Sequence, residues 1–408
     1  MSQRPCIIVP GIQGSALQNV YAISPKTTWS TLTIAGEKFF PPDFNSLALD
    51  DSAQADRDEH VLSLPSQLLE IAYGPLVQAL QGRLDVPAYL FPYDWRYSIV
   101  QSAQALVQFV KRLELKSIPS LPKWDRLFDF AVHSMGGLVL RAFLSEWSKT
   151  EGTLPLPIGQ IVYIATPHLG SLDAAVALIS GETSWFGGRK ELRKLARTFP
   201  SVYELLPRFP AAVVRAGQSL DIFDEANWQK NTIEPDAKNS GFDVQQFHLT
   251  AAKRVLASLP YATDPPYNLP SNEQLVIFGN KANAIMEQVE VGPAPTCWYD
   301  FDHAKKGSGD DVVPVVSARL NSVPSVEIQE RDVSYFHPIE RGMAAMDIHA
   351  FFRYSMRLRR SSGVFFRVSE ELTYCRKDYR PKGTIRSFSS YFRSKSGLFS
   401  VDRKHRTS

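Results

Sequence analysis

Three side chains, far apart in this sequence, could together perform nucleophilic acyl chemistry: a serine at 134, an aspartate at 310 and a histidine at 337. Ser134 ends the apolar run Phe128-Asp129-Phe130-Ala131-Val132-His133. It is followed by Met135-Gly136-Gly137 and then by the helical spacing Leu138, Leu140, Phe143, Leu144. A strand, a sharp turn and a helix with serine at the apex is the layout of a nucleophile elbow. A serine hydroxyl is a poor nucleophile, so it must be lifted out of the packing and offered to a base. Gly136 and Gly137 lack the Cβ atoms that would obstruct so tight a turn. The helix N-terminus then aims amides and partial positive charge where an oxyanion would form. The usual pattern G-x-S-x-G has a small residue two places before the serine, and here that place holds Val132. Either the packing there is relaxed or the strand sits slightly differently. Taken alone, the segment could also be an ordinary buried turn that contains a serine.

A triad of this kind takes its acid and then its base from later loops at the same edge of a sheet. Gly307-Ser308-Gly309-Asp310-Asp311-Val312-Val313 offers the acid: glycines permit a tight turn, and the apolar residues return the chain to the core. Asp310 is favoured and Asp311 is the reserve; a turn aspartate bonding its own backbone is the plain alternative. The base is expected after the last core strand, which places it at His337, in Ser334-Tyr335-Phe336-His337-Pro338. His349 competes but lies within a helical pattern. His133, beside the serine, reads as a wall or packing residue, and His168 as a pocket-lining one; His60, His248, His303 and His405 have no motif around them. An oxyanion would need two backbone amides. Met135 supplies one by position, and the glycine-rich loop Val9-Pro10-Gly11-Ile12-Gln13-Gly14-Ser15 can bring that of Ile12. That loop lacks the G-K-[ST] of a phosphate cradle. No H-x-x-x-H or C-x-x-C spacing is present, so neither a metal nor any other cofactor is expected.

The elements that must carry these residues follow from the hydropathy pattern. Strand-like runs at Cys6–Val9, Ala88–Pro92, Phe128–Val132, Gln160–Ala165, Gln274–Gly279 and Val326–Gln329 alternate with helical stretches. Such alternation predicts an α/β fold with a mostly parallel central sheet and helices on both faces. One helix carries Ala103, Leu106, Val110 and Leu113 on one face, and another is expected to begin at Pro75. The stretch from Ser171 to about Asn272 breaks the alternation and reads as a cap or lid insertion.

At 408 residues with 44% apolar and 21% charged residues, the composition is that of a globular enzyme, and one α/β domain with insertions accommodates the length. No apolar run reaches a membrane span, and no cleavable leader is visible, so a cytoplasmic location is expected. Cys6, Cys297 and Cys375 are odd in number and widely spaced, which argues against a disulfide framework. The net charge of +3 conceals an asymmetry: Arg353–Ser408 holds 15 Lys/Arg against 4 Asp/Glu, leaving 30 against 38 before it. A hydrolase domain over 1–360 and a basic, aromatic-containing extension over 361–408 follow. The extension could contact an anionic membrane, nucleic acid or an acidic partner. A solvated, partly disordered tail with one strand at Val364–Val368 is preferred, and no nucleic-acid partner is expected.

In order along the chain, Ile7–Ser15, Pro92-Tyr93-Asp94-Trp95-Arg96, the Ser134 elbow, Ile164-Ala165-Thr166-Pro167-His168-Leu169-Gly170-Ser171 and Gly309–Val313 resemble the lecithin:cholesterol acyltransferase-like lipase/acyltransferase family. The P-Y-D-W-R segment is the most discriminating of these. The resemblance implies an α/β-hydrolase fold with a mobile lid. It also implies Ser134 as nucleophile, Asp310 as acid, His337 as base, and Ile12 and Met135 as oxyanion donors. The implied activity is a lipase or O-acyltransferase working on lipid acyl esters through an acyl-enzyme, with water or an alcohol as acceptor. Transient contact with a membrane surface, through lid and tail, would fit it. The competing reading is a hydrolase-fold binding module whose working part is the basic tail.

Overall fold

The structure, a computed structural model, describes residues 4–20, 26–29, 47–49, 63–78, 80–81, 86–117, 127–152, 154–183, 192–229, 246–294 and 296–328. The chain divides into two compact units, Met1–Ser362 and Gly363–Ser408, and the second lies outside the described residues. The expected strand at Val364–Val368 and the basic extension therefore lie outside them too.

All six strands expected from hydropathy form one sheet. They are β1 (Cys6–Val9), β5 (Ala88–Leu90), β6 (Phe128–His133), β7 (Ile158–Ile164), β10 (Gln274–Gly279) and β13 (Ser325–Ile328). Their order is β13-β10-β7-β6-β1-β5, with every pairing parallel. Parallel strands are covered on both faces, and alternate residues of one strand accordingly serve two cores. Ile7 and Val9 pack with Phe128, Phe130 and Val132, whereas Cys6 and Ile8 pack with Ala131, Val162 and Ile164 on the other side.

Helices α2 (Ile99–Ser117) and α3 (Met135–Glu151) cover the first of these faces, the former through Ile99, Ala103, Leu106 and Val110 as its spacing predicts. The second face is covered by α1 (Glu70–Gln78), through Ala72, Tyr73 and Leu76. This helix does not begin at Pro75; the proline is interior to it. The Leu69 carbonyl accepts from the amides of Ala72 and Tyr73 and starts the turn five residues earlier than expected. Burial of the apolar face offsets the backbone bond that Pro75 forgoes.

From β1 the chain passes to β5 on one side and returns to β6 on the other. The sheet thus changes direction between β1 and β6, and loops leaving the carboxyl ends of those strands diverge there. The Ile12 loop and the Ser134 turn leave from these two ends.

The antiparallel parts were not expected. Strands β2 (Ser15–Asn19), β3 (Lys26–Trp29) and β4 (Ser63–Leu68) form a small sheet beyond the β1 loop. A second sheet, β12-β11-β8-β9, joins the hairpin β11 (Lys281–Val291) and β12 (Tyr299–Gly309) to β8 (Val213–Arg215) and β9 (Gln218–Ser219). The span 171–272 holds these last two strands and helices α4 (Leu172–Ile179), α5 (Leu192–Ala196), α6 (Pro200–Tyr203) and α7 (Gln246–Ser258). Leu172, Phe199, Tyr203, Leu249 and Ala262 belong to the same apolar cluster as the sheet face under α2 and α3.

Candidate active site

Ser134 stands between β6 and α3 with φ 53° and ψ −128°, a backbone that L-residues rarely adopt and that costs about 1–3 kcal/mol. Its amide donates to the Ile164 carbonyl (2.8 Å), and its carbonyl accepts from the Gly137 amide (2.9 Å). The turn is possible because three glycines let backbones meet. A Cβ on Gly11 would lie 2.7 Å from Ser134 Cβ, one on Gly136 would lie 2.5 Å from the Val9 carbonyl oxygen, and one on Gly137 would overlap the Thr166 side chain. Val132 is wholly buried in regular register opposite Val9 and Tyr163. The strand is not displaced: the valine belongs to the sheet, and room for the turn comes from the glycines.

The loop after β1 is a tight turn, closed by the Gly14 amide on the Gly11 carbonyl (3.0 Å). Gln13, at its third position, has φ 62° while Ile12 keeps a negative φ, which is type II geometry. Neither the Ile12 nor the Met135 amide has a hydrogen-bond acceptor among the described residues. Both donors remain available, as an oxyanion hole requires. The loop itself is held by aromatic hydroxyls and an indole. Tyr73 accepts from the Gly11 amide (2.9 Å), Tyr93 donates to the Pro10 carbonyl (2.9 Å) and Trp95 Nε1 donates to the Ser15 carbonyl (3.1 Å). The Tyr93 amide donates to Ser15 Oγ (3.1 Å). Arg96 grips the Asp94 carboxylate through Nε (2.9 Å) and Nη2 (2.6 Å), which fixes the segment carrying these donors. The P-Y-D-W-R segment is therefore the brace of the Pro10–Ser15 loop.

His133 completes that brace. Burial pushes its imidazole down to about 3, so the ring is neutral. Burial also pushes the Tyr73 phenol up, so the hydroxyl keeps its proton. Tyr73 Oη and His133 Nδ1 are hydrogen-bonded at 2.9 Å. One hydroxyl thus ties the residue before Ser134 to the amide of Gly11. Sequence reading gave His133 a wall role but had no means of finding Tyr73, an aromatic on an amphipathic helix.

Asp310 follows β12 in a loop closed by the Gly309–Pro314 bridge. Its Oδ1 accepts from the amides of Val312 (3.1 Å) and Val313 (2.7 Å), the self-bonded turn that sequence alone allowed. Its Oδ2 is buried and, among the described residues, has no hydrogen-bond partner. A turn aspartate would not need that second oxygen, whereas an acid orienting an imidazole would offer it to a ring N–H. Burial pushes the carboxyl up to about 7, with the neighbouring Asp311 adding to the rise and the two amides opposing it. Asp311 is half-exposed and paired with Lys281 Nζ (3.3 Å), which separates the two candidates. The Asp310 loop is tied to the loop after β7: Ser171 Oγ donates to the Val312 carbonyl (2.6 Å), and the Leu169 amide donates to Ser317 Oγ (3.0 Å). The structure thus brings the Asp310 loop, the Ser134 turn and the Ile12 loop to the carboxyl edge of one sheet.

His337 lies outside the described residues, as do His349, His60 and His405. Of the remaining histidines, His168 is buried between Tyr163 and Tyr261, His248 stacks on Tyr203, and exposed His303 pairs with Asp300. Among the described residues no group of three His, Cys, Asp or Glu side chains could hold a metal ion. No helix among them is long and apolar enough to cross a membrane.

Two buried ionisable side chains that sequence reading passed over anchor the span 171–272. Arg141, on α3, donates to the carbonyls of Leu259 (2.7 Å), Pro260 (3.0 Å) and His168 (3.3 Å) and lies over the Tyr261 ring (3.8 Å). Glu204, just after α6, accepts from Ser98 Oγ (2.6 Å) and from the Ile99 amide (2.7 Å), closing the N-terminus of α2.

With this geometry in place, comparison with known proteins is informative. The family model described as Lecithin:cholesterol acyltransferase matches residues 87–261, from β5 through the Ser134 elbow to Tyr261. Among solved structures, a chain of the Tle4–Tli4 complex superposes with a TM-score of 0.56 at 14% identity, covering 86% of this chain and 98% of that one. The Bacillus licheniformis lipase BlEst2 (TM-score 0.38, 12% identity, 88% and 92% covered) and phospholipase PlaB from Legionella pneumophila (0.35, 13%, 77% and 45%) superpose more loosely and add no argument. A comparison with curated protein sequences gives no match. The strained serine elbow on a parallel sheet and the superposition on the Tle4–Tli4 chain show an α/β-hydrolase fold, and over residues 87–261 the chain is similar to the lecithin:cholesterol acyltransferase family.

Proposed function

We propose that the protein is a serine-dependent lipid acyl-ester hydrolase or O-acyltransferase. The observation that carries this reading is Ser134 itself: a non-glycine residue at φ 53°, held at the β6–α3 junction beside two amides without acceptors. In this reading Ser134 Oγ attacks the ester carbonyl while His337 removes its proton. Asp310 Oδ2 accepts from the other ring N–H of His337 and stabilises the imidazolium. The developing oxyanion is held by the Ile12 and Met135 amides. Collapse expels the alcohol, which takes the proton from His337, and leaves an acyl group on Ser134. Water or an acceptor alcohol, deprotonated in turn by His337, then attacks the acyl-enzyme and restores the serine.

The lipid class of the substrate rests on the family match over residues 87–261. The span 171–272 serves as a cap that shelters the acyl-enzyme, and the choice between water and alcohol depends on how well it excludes water. Contact of the lid and of the basic 361–408 segment with a membrane surface belongs to the same proposal.

Replacing Ser134 by Ala tests it. Turnover of phospholipid and simple esters, measured as free fatty acid in water and as new ester in the presence of an added alcohol, should fall by at least 10⁴-fold, the scale seen when a triad member is removed. The fold should persist, since alanine keeps the Cβ and loses only the hydroxyl. Undiminished turnover in folded Ser134→Ala would contradict the proposal.

A further inference from the structure

Gln13 is strained and, on the face of the folded chain alone, wasteful. Its φ of 62° at the third position of the Gly11–Gly14 turn is one that glycine or asparagine adopts more readily. The residue is only 6% exposed. Its main-chain carbonyl is used, accepting from Trp29 Nε1 (3.3 Å), but its side-chain Nε2 is buried and has no hydrogen-bond partner among the described residues. Leaving a carboxamide donor buried and unpaired costs stability, as does the left-handed backbone, and a glycine would remove both costs at once. The same four-residue turn carries the free Ile12 amide and sets Gly11 against Ser134.

We propose that Gln13 Nε2 is a substrate-binding donor that hydrogen-bonds an oxygen of the bound ester, alongside the backbone amides of Ile12 and Met135. This rests on Ser134 being the nucleophile. Side-chain carboxamides serve this purpose in oxyanion holes, where the group must be held away from water and pre-aimed. The amide is out of solvent, and Tyr73, Tyr93 and Trp95 fix the backbone that bears it. The acceptor is an oxygen either of the scissile ester or of the lipid head group, and both present the same chemistry to an N–H donor.

The experiment compares wild type, Gln13→Leu, Gln13→Gly and Ser134→Ala on p-nitrophenyl butyrate, which has no head group, and on dibutyryl phosphatidylcholine. Rates are normalised to sites titrated to completion with a fluorophosphonate, and Tm is recorded for each variant. Gln13→Leu and Gln13→Gly should each lose at least tenfold in kcat/KM per titrated site. A fall in kcat on both esters assigns the scissile oxygen, and a rise in KM confined to the phospholipid assigns the head group; either supports the proposal. Normal kcat and KM per titrated site on both esters would overturn it, including where Tm falls, since the carboxamide would then be structural. Turnover by Ser134→Ala would instead overturn the nucleophile assignment, so the two failures are distinguishable.

Discussion

At Ser134 the proposed chemistry depends on the backbone as much as on the hydroxyl. The φ of 53° lifts Oγ out of regular structure, and the neighbours that permit it are absences: no Cβ at Gly11, Gly136 or Gly137. Serine and glycines could be read from the sequence because strand, turn and helix follow one another within fourteen residues. Tyr73 could not, because its role depends on a tertiary contact 60 residues from His133 and 62 from Gly11. Replacing Tyr73 by Phe removes one hydroxyl and leaves both the Gly11 amide and His133 Nδ1 without it. Stability should fall by about 1–3 kcal/mol, the usual cost of an unpaired buried group. Because the lost bond positions the loop proposed to hold the oxyanion rather than the substrate, kcat should fall roughly tenfold with KM nearly unchanged. Steady-state kinetics beside thermal unfolding would check this, and an unaltered kcat would reduce Tyr73 to a packing residue.

Among the elements, those with the strongest hydropathy signal were the ones legible in advance. Strands of the parallel sheet are buried on both faces, so each appears as a compact apolar run, and all six found their places. The β11–β12 hairpin is half-exposed along most of its length and mixes Lys, Glu, Asp and His with apolar residues, so no clean alternation marks it. The sequence pointed to Asp310 but not to β12, the strand that leads into its loop. At the site α3 approaches the end of β1 closely, with Gly136 against the carbonyls of Val9 and Pro10. A methyl group there meets main chain that cannot yield without moving the oxyanion loop. Gly136→Ala should therefore cost about 1–3 kcal/mol, in the range of overpacked cores. It should also depress turnover more than a stability loss of that size explains, as read by calorimetry and by kinetics on the folded fraction.

For the molecule as a whole, the span 171–272 is tied into the body by the buried side chains of Arg141 and Glu204. Composition and spacing marked that span as irregular, but they could not show these ties, since a lone Arg or Glu in sequence is ordinarily a surface residue. Glu204 also makes the coupling pH-dependent. Burial pushes its carboxyl up to about 7, against the two hydrogen bonds that favour the charged form. Between its unfolded value of 4.5 and about 7 the folded protein holds a proton that the unfolded chain has released. Stability from this group is therefore fully present below pH 4.5, declines as pH rises through that window, and is level above it, with a slope of about 1.4 kcal/mol per pH unit at most. Glu204→Gln removes that titration. Its Tm should fall less than that of wild type between pH 5 and pH 7.5, and identical pH profiles would show that Glu204 does not hold the proton.

The central claim is that Ser134 forms the acyl-enzyme. Incubating the full-length protein with a fluorophosphonate ester and mapping the adduct by peptide mass spectrometry tests it most directly. The account predicts one stoichiometric adduct on the peptide containing Ser134, absent from Ser134→Ala and from protein unfolded beforehand. An adduct on another residue, or a folded wild type that remains unlabelled, would contradict it.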